Sequence, residues 1–294
     1  MNRPTIGEVV RSAQAKLARA RIESASLDAM LLMRYLLRVE KTEYLLRRHL
    51  PLPEGIEAPY AELIKRRIAG ESVAYLIGNR EFLALDFAVG PGALVPRPET
   101  ELMVEWAAKW LHGRSQALAV DVGTGSGAIA IGIAHLASPH ALRGVIAIEP
   151  SIDALRWARK NAITHAHNKP IAFVRGSLVS PLAGPVDLVL ANLPYLTPKQ
   201  VDSNPDLAAE PRSALVGGED GLDLIRALIA DLPRVLAPDG VAILELDPSQ
   251  ADEVAALAAA KFARAVVEII PDLAGLARFV SIDCASSPER ETDS

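Results

Sequence analysis

The twelve residues VDVGTGSGAIAI, at positions 120–131, decide the predicted fold. They run from an apolar strand through Gly123, Gly125 and Gly127 into an apolar helix, with Asp121 near the end of the strand. Glycines let a backbone turn tightly and approach a ligand closely, and the first turn of a helix offers free N–H groups. A strand, a glycine turn and a helix in this order predict one unit of a parallel sheet that binds a ligand at this turn.

The chain on both sides of this segment alternates strands and helices. Continuous apolar strands separated by helices indicate a parallel sheet that is covered on both faces. The last two strands are joined only by PDLAGL at 271–276, which is too short for a helical crossover, so they must pair antiparallel. We therefore predict an α/β, seven-stranded Rossmann-like sheet, mostly parallel with the last strand antiparallel. Its strands are ALAVDVG at 117–123, GVIAIEP at 144–150, IAFVRG at 171–176, VDLVLAN at 186–192, GVAILEL at 240–246, AVVEII at 265–270 and ARFVSI at 277–282.

The sequence before the sheet has a different texture. Residues 5–69 place apolar side chains at spacings of three and four, which predicts a small bundle of short helices, with Ser26 as the N-cap of the second. The predicted division of the chain is a helical domain at 1–70, a β-hairpin linker at 71–95, the sheet domain at 96–284 and a disordered polar tail at 285–294. In the linker, turns at Gly78-Asn79 and at Gly90 to Gly92 separate two short strands.

Composition restricts the class of protein. Half of the 294 residues are apolar, and the single cysteine, Cys284, excludes an internal disulfide and fits a reducing compartment. No apolar run has the length of a membrane span, and the first twenty residues carry charges in place of a secretory core. We therefore predict a cytoplasmic protein with no membrane association.

The net charge of −5 is unevenly distributed. Residues 1–70 hold 13 Lys and Arg against 8 Asp and Glu, a net of +5, and the remaining residues hold 18 against 28, a net of −10. The acidic body argues against strong binding of nucleic acid. The basic front could contact a polyanionic assembly such as a ribosome, or an acidic protein, or be an ordinary solvated helical surface.

The glycine turn and the acids near it indicate the ligand. The spacing is Gly-x-Gly-x-Gly and not the dinucleotide Gly-x-Gly-x-x-Gly, and the carboxylate of Asp121 would repel a pyrophosphate but attract a cation. Glu149 ends the next strand 22 residues after Gly127, near the spacing of about 20 at which an acid reaches ribose hydroxyls. These features predict S-adenosylmethionine, an adenosyl ligand with a positively charged end.

The segment DLVLANLPYLTP at 187–198 adds a reactive group. Asn192 ends a strand that we expect beside the first strand of the sheet, so its amide should lie at the same edge as the glycine turn. Its side-chain oxygen and the carbonyl of Leu193, which Pro194 follows, are two acceptors that suit an NH2 group. Such a nitrogen would face the methyl of a sulfonium, and Tyr195 can stack on the planar group that carries it. The pattern predicts methyl transfer to a nitrogen without a strong base.

Together these motifs resemble those of the seven-stranded S-adenosylmethionine-dependent methyltransferases. Within that class they are similar to the HemK/PrmC-like protein N5-glutamine methyltransferases, which act on peptide-chain release factors. The resemblance covers about residues 25–283, and it depends most on segments that other methyltransferases lack. These are YLIGNREFLALDFAVGPGALVPRPETELMVE at 75–105, EPRSALVGGEDGLDLIR at 210–226 and DLAGLARFV at 272–280.

The resemblance implies a function and a set of residues. It implies methyl transfer from S-adenosylmethionine to a glutamine side-chain amide, giving N5-methylglutamine and S-adenosylhomocysteine without a metal, by a protein whose helical domain docks the release factor. We expect a monomer, although one sequence does not determine the oligomeric state. The cofactor-binding residues would be Asp121, Gly123, Thr124, Gly125, Gly127, Glu149, Ser177 and Asn192. The catalytic and substrate-binding residues would be Asn192, Leu193, Pro194 and Tyr195, with Arg97 and Phe82 in stretches that line the cleft.

Three positions depart from the pattern of that family. The usual Asn-Pro-Pro-Tyr is Asn192-Leu193-Pro194-Tyr195 here, Ser177 stands where an acid beside the adenine is common, and Asp247 replaces a small residue after LEL. Alternative functions are a glutamine methyltransferase of a ribosomal protein, an adenine N6-methyltransferase of RNA or DNA, and a non-catalytic assembly factor that binds the cofactor.

Overall fold

The computed structural model describes residues 3–166 and 169–285. Most of the predicted tail, residues 286–294, therefore lies outside the described residues. The chain forms two compact units, Met1–Asn79 with Asn204–Ala209 and Arg80–Ser203 with Glu210–Ser294. The first unit thus extends beyond the predicted end at residue 70 and includes a short segment from much later in the sequence.

The first unit is built from amphipathic helices, as the apolar spacing predicts. In the second helix Ala25, Ala29, Leu32 and Met33 are buried along one face. Its N-cap is Ser24 and not the predicted Ser26, which lies inside the first turn. The five helices are α1 (Ile6–Arg19), α2 (Ala25–Leu37), α3 (Lys41–Arg47), α4 (Glu57–Ile68) and α5 (Val73–Ile77).

A buried ion cluster attaches the late segment to this unit. Arg67 of α4 is 5% exposed, and its Nε donates to Asp28 Oδ2 at 2.7 Å. Its Nη2 donates to the carboxylate of Asp206, which lies in the short turn Pro205–Leu207. A buried guanidinium is strongly destabilising when it loses a partner. The segment Asn204–Ala209 is therefore a structural part of the helical unit.

A β-hairpin forms within the predicted linker, but its turn lies at neither of the predicted glycine positions, Gly78-Asn79 and Gly90 to Gly92. Strands β1 (Asn79–Phe82) and β2 (Leu85–Ala88) are joined by Leu83 and Ala84, whose φ angles are 51° and 57°. This left-handed conformation is unusual without glycine. The N–H of Leu83 donates to Glu101 Oε1 at 3.1 Å, so a tertiary hydrogen bond supports the turn.

The second unit contains the predicted seven-stranded sheet. Its strands are β3 (Ala117–Val122), β4 (Leu142–Glu149), β5 (Ile171–Arg175), β6 (Val186–Asn192), β7 (Leu236–Glu245), β8 (Val266–Pro271) and β9 (Ala277–Asp283). Its helices are α6 (Glu99–Leu111), α7 (Ala128–Leu136), α8 (Ile152–His165), α9 (Pro198–Ser203), α10 (Asp223–Val235) and α11 (Ala251–Lys261). None of the described helices is both long and apolar enough to cross a membrane.

The order of the strands places the predicted site residues at one edge. The order is β5-β4-β3-β6-β7-β9-β8, in which β9 pairs antiparallel with both β7 and β8 and the other neighbouring strands pair parallel. Strand β6 lies beside β3, as predicted for Asn192, and Asn192 is in register with Glu245 on β7. The carboxyl ends of β3, β4, β6 and β7 therefore meet at the edge where such sheets bind ligands.

Candidate active site

A cavity of about 350 Å³ lies at the carboxyl edge of the sheet. Seven of the predicted site residues form part of its wall, namely Gly123, Gly125, Glu149, Ser177, Asn192, Leu193 and Pro194. Two loops complete it with Gly92, Ala93 and Leu94 on one side and Ser213 and Ala214 on the other. Six predicted residues are not on the wall, namely Asp121, Thr124, Gly127, Tyr195, Arg97 and Phe82.

The glycine turn has the backbone conformation that its sequence implies. Gly123, Gly125 and Gly127 have φ angles of 77°, 55° and 86°, in the left-handed region that favours glycine. Gly127 also allows close packing, because a Cβ there would lie 3.2 Å from the Cβ of Ala158 on α8. Gly127 therefore shapes the turn from behind, while Gly123 and Gly125 face the cavity.

Asp121 is wholly buried beneath this turn. Its Oδ2 accepts a hydrogen bond from the hydroxyl of Thr124 and another, of 3.0 Å, from the N–H of Ala130. The carboxylate of Asp121 therefore holds the glycine turn against the start of α7. Its Oδ1 is buried without a hydrogen-bond partner in the described structure. Burial raises the pKa of Asp121 to about 7, although the two hydrogen bonds lower it.

Glu149 joins the end of β4 to the glycine turn. Its Oε2 accepts from the N–H of Gly125 at 3.0 Å and its Oε1 from the N–H of Ser151 at 2.9 Å. Burial raises the pKa of this carboxyl, and the two N–H donors lower it. Each oxygen has a further lone pair, so the carboxylate can still accept from two hydroxyl groups of a ligand in the cavity.

Asn192 is held by a chain of buried polar groups. Its Nδ2 donates to Thr100 Oγ1 at 3.0 Å, and Thr100 Oγ1 donates to Glu245 Oε2 at 2.7 Å. Thr100 and Glu245 are 4% and 1% exposed. Burial raises the pKa of Glu245 to about 7, while the hydrogen bond from Thr100 lowers it.

The leucine of the Asn-Leu-Pro-Tyr segment packs behind the cavity wall. Leu193 is 5% exposed, and its Cδ2 lies 3.2 Å from the point that a Cβ on Gly123 would occupy. The side chain therefore fills space against the glycine turn. The backbone carbonyl of Leu193 lies between Asn192, the last residue of β6, and Pro194.

Tyr195 is positioned through its backbone as well as its ring. Its carbonyl accepts from Gln250 Nε2 at 2.9 Å, and burial raises the pKa of its phenol to about 12. Gln250 is held in a capping box by Asp247, whose Oδ1 also accepts from the N–H of Ser249 at 3.0 Å. The unusual Asp247 thus caps a short helical turn that fixes Tyr195.

Arg97 and Phe82 make structural contacts and do not line the cavity. Arg97 Nη2 donates to Glu210 Oε1 at 2.5 Å, and Glu210 Oε2 accepts from the N–H of Val95 at 3.0 Å. Phe82 is 1% exposed and meets Phe87 edge to face, with ring centroids 5.8 Å apart. Their roles toward a substrate stay predictions.

Sequence reasoning missed Thr100, Glu210 and Glu245. Glu245 ends an apolar strand just as Glu149 and Asn192 do, and this shared pattern could have identified it. Within residues 3–166 and 169–285, no group of three or more His, Cys, Asp or Glu side chains could hold a metal ion.

Comparison with known proteins places the chain in a family. Residues 8–78 match the family described as PrmC N-terminal domain, and residues 100–218 match the family described as Methyltransferase small domain. A Deinococcus radiodurans protein named release factor glutamine methyltransferase is 38% identical over 274 residues, covering 93% of this chain and 96% of that protein. The chain belongs to the release factor glutamine methyltransferase family.

Other comparisons agree with this membership. A release factor glutamine methyltransferase of Bradyrhizobium diazoefficiens is 38% identical over 292 residues, covering 95% of this chain and 96% of that one. A solved methyltransferase structure from Pyrococcus furiosus has a TM-score of 0.50 at 19% identity, covering 69% of this chain and 89% of its own. The predicted family, the predicted methyltransferase class and the predicted Rossmann-like fold are confirmed.

Proposed function

We propose that this protein transfers a methyl group from S-adenosylmethionine to the side-chain amide nitrogen of a glutamine in a peptide-chain release factor. The observation that supports this most directly is the position of Asn192. It lies on the wall of the same cavity as Gly123, Gly125 and Glu149, in a chain that belongs to the release factor glutamine methyltransferase family.

The cavity fits S-adenosylmethionine in volume and in charge. Its volume of about 350 Å³ lies within the range of small-molecule sites. Glu149 would accept from the ribose hydroxyls, and the glycine turn lets the ligand approach the backbone at Gly123 and Gly125. Asp121 lies beneath the turn and off the cavity wall, and its ionised form would add negative potential that favours a cation. When bound, the cofactor supplies a methyl group on a positively charged sulfur.

The residues of the Asn-Leu-Pro-Tyr segment would hold the amide that receives the methyl group. Asn192 Oδ1 and the Leu193 carbonyl are acceptors for its two hydrogens, and this grip turns the nitrogen lone pair toward the methyl donor. An amide nitrogen becomes far more acidic as it attacks, so its proton can pass to water once the new bond forms. Orientation and preorganised acceptors supply the catalytic effect in this scheme.

The charge distribution favours a protein substrate. Outside the first 70 residues the net charge of −10 opposes phosphate binding, which an adenine methyltransferase of RNA or DNA would need. The basic helical unit supplies a docking surface for the release factor. The enzyme acts in the cytoplasm on this scheme, where release factors function.

Methyl transfer from labelled S-adenosylmethionine tests the proposal. We expect label in a purified release factor, at one glutamine that gains the mass of one methylene by peptide mass spectrometry, and none in ribosomal proteins or ribosomal RNA. A release factor with that glutamine replaced by asparagine is the matched control and should stay unlabelled. Label in RNA or in a ribosomal protein alone, or in no acceptor, would overturn the proposal.

A further inference from the structure

Asn192 lies on the cavity wall and begins a chain of hydrogen bonds, in which its Nδ2 donates to Thr100 Oγ1 and Thr100 Oγ1 donates to Glu245 Oε2. We propose that Thr100 and Glu245 are positioning residues for methyl transfer, which turn the Asn192 oxygen toward the substrate by fixing the direction of both hydrogen bonds. This inference rests on the proposed function.

The three groups are held by separate rigid elements. Asn192 and Glu245 end the neighbouring strands β6 and β7 and are in register, and Thr100 lies in the first turn of α6. The two hydrogen bonds measure 3.0 Å and 2.7 Å, and the hydroxyl and the carboxylate are shielded from water. Because all three residues lie in strands or a helix and not in loops, this chain of hydrogen bonds can orient the Asn192 amide before a substrate binds.

The direction of the chain follows from the number of hydrogens on each group. An ionised Glu245 can only accept, so it requires the single hydroxyl hydrogen of Thr100. The Thr100 oxygen can then only accept from its other side, so it requires the NH2 end of Asn192. The oxygen of Asn192 consequently points away from Thr100. The two ends of an amide are nearly equal in shape, and this chain is what distinguishes them.

Protonation of Glu245 would remove this direction. A neutral carboxyl can donate to Thr100, whose own hydrogen is then free to turn toward the Asn192 oxygen, and the amide could rotate by half a turn. The charged groups around Glu245 act in both directions. Arg278 on β9 and Arg97 lower its pKa and Glu99 raises it, while Glu245 in turn raises the pKa of Tyr195.

Two substitutions at Thr100 separate positioning from packing. Thr100→Val keeps the volume and removes the hydroxyl, whereas Thr100→Ser keeps the hydroxyl and removes a methyl group. If Thr100 merely packs α6 onto the sheet, valine should preserve activity better than serine. If the Thr100 hydroxyl fixes the orientation of the Asn192 amide, serine should preserve activity better than valine.

The kinetic experiment uses the full chain, labelled S-adenosylmethionine and a release factor. We expect Thr100→Val to lower kcat at least roughly tenfold, less than the roughly 100-fold loss of a direct preorganised contact because Thr100 acts through Asn192, and Thr100→Ser to stay within about threefold of the wild type. Calorimetric affinity for S-adenosylmethionine should change less than about threefold in both variants.

The wild-type kcat should rise with pH through about 7, where Glu245 ionises, and Glu245→Gln should abolish this rise. A valine variant that matches or exceeds the serine variant would overturn the inference.

A spectroscopic experiment gives a result that does not need a methyl acceptor. The side-chain NH2 pair of Asn192 is assigned by nuclear magnetic resonance as the pair that Asn192→Asp removes. We expect this pair to shift with pH as Glu245 ionises in the wild type and in Thr100→Ser, and to lose that shift in Thr100→Val. An Asn192 NH2 pair whose chemical shift does not change with pH in the wild type refutes the proposed positioning by Thr100 and Glu245. A shifting pair in a protein that methylates no release factor refutes the proposed function instead.

Discussion

Arg97 and Glu210 lie 113 residues apart in the sequence, yet Arg97 Nη2 donates to Glu210 Oε1 at 2.5 Å. The same carboxylate accepts from the N–H of Val95 and is 2% exposed at its side chain. Val95 directly follows Ala93 and Leu94 in one loop of the cavity wall, and Glu210 lies just before Ser213 and Ala214 in the other. This pair therefore fastens together two loops that enclose the candidate cofactor site.

Glu210→Ala should loosen both loops. Leaving the Val95 N–H and the Arg97 guanidinium without their acceptor should lower the free energy of unfolding by about 1–3 kcal/mol and weaken S-adenosylmethionine binding. Urea unfolding and calorimetric titration measure the two effects. The control is Asp202→Ala, which removes the exposed ion pair with Arg212 and should change either quantity little. Equal effects of both substitutions would contradict a fastening role.

Asn192→Ala should separate turnover from cofactor binding. We expect methyl transfer to fall roughly 100-fold or more, because a preorganised acceptor for the substrate amide is lost, while cofactor affinity stays within a few fold. Asn161→Ala is the contrast. The buried Asn161 accepts from Ala88 and donates to Ala88 and Ser126, so its loss should lower stability without a selective effect on kcat. A parallel fall of binding and turnover in Asn192→Ala would count against the assignment.

Glu149→Ala should have the opposite pattern. Because the carboxylate would hold the ribose and also binds the N–H groups of Gly125 and Ser151, its removal should weaken S-adenosylmethionine binding at least roughly tenfold, the loss of about one charged hydrogen bond. Glu149→Gln keeps one acceptor oxygen and should lose less. Equilibrium dialysis with labelled cofactor measures this, and unchanged binding in the alanine variant would refute the role.

The stability of the ligand-free protein should depend on pH through its buried acids. Burial raises the pKa of Asp121 from 3.8 and that of Glu245 from 4.5 to about 7. Between the ordinary values and about 7 the folded state binds more protons than the unfolded state, so the free energy of unfolding falls as pH rises across this window. Urea unfolding at pH 5.5 and 7.5 should show the fall, and Asp121→Asn should make it smaller. An identical slope in that variant would contradict the raised pKa of Asp121.

Gly127→Ala should destabilise the sheet unit. The residue has a φ of 86°, and an added Cβ would lie 3.1 Å from Ile131 Cδ1 and 3.2 Å from Ala158 Cβ. We expect a loss of about 1–2 kcal/mol from the left-handed backbone, with a further cost from crowding. Gly184→Ala is the control, because nothing lies within 4 Å of its added Cβ. Thermal unfolding measures the loss of stability in each variant. Equal losses in Gly127→Ala and Gly184→Ala would show that the turn relaxes to accept the added Cβ.

The sheet was predictable because strand and helix patterns are local. Apolar strands, a glycine turn and a connection too short for a helix were enough for the seven strands and the antiparallel last one. The hairpin turn was placed wrongly. It uses Leu83 and Ala84 in a left-handed conformation, and the hydrogen bond from Leu83 to Glu101 that supports it is a tertiary contact.

The site was predictable only in part, for a similar reason. The positions of Asn192 and Glu149 on the cavity wall were predictable because each ends a strand that the chain order brings to the glycine turn. The importance of Glu245 depends on its register with Asn192 and on a helix residue, Thr100, that reaches both. Which side chains meet across elements is set by packing, and the sequence does not state it directly.

The placement of Asn204–Ala209 within the helical unit has an evolutionary consequence. Recombination between relatives that exchanged only the residues before position 80 would bring in a new Arg67 and Asp28 while keeping the old Asp206, so that the buried guanidinium and one of its two acidic partners would come from different parents. Inheritance of the helical unit is therefore expected to be discontinuous, with the six residues Asn204–Ala209, about two-thirds of the way along the sequence, co-varying with its first quarter.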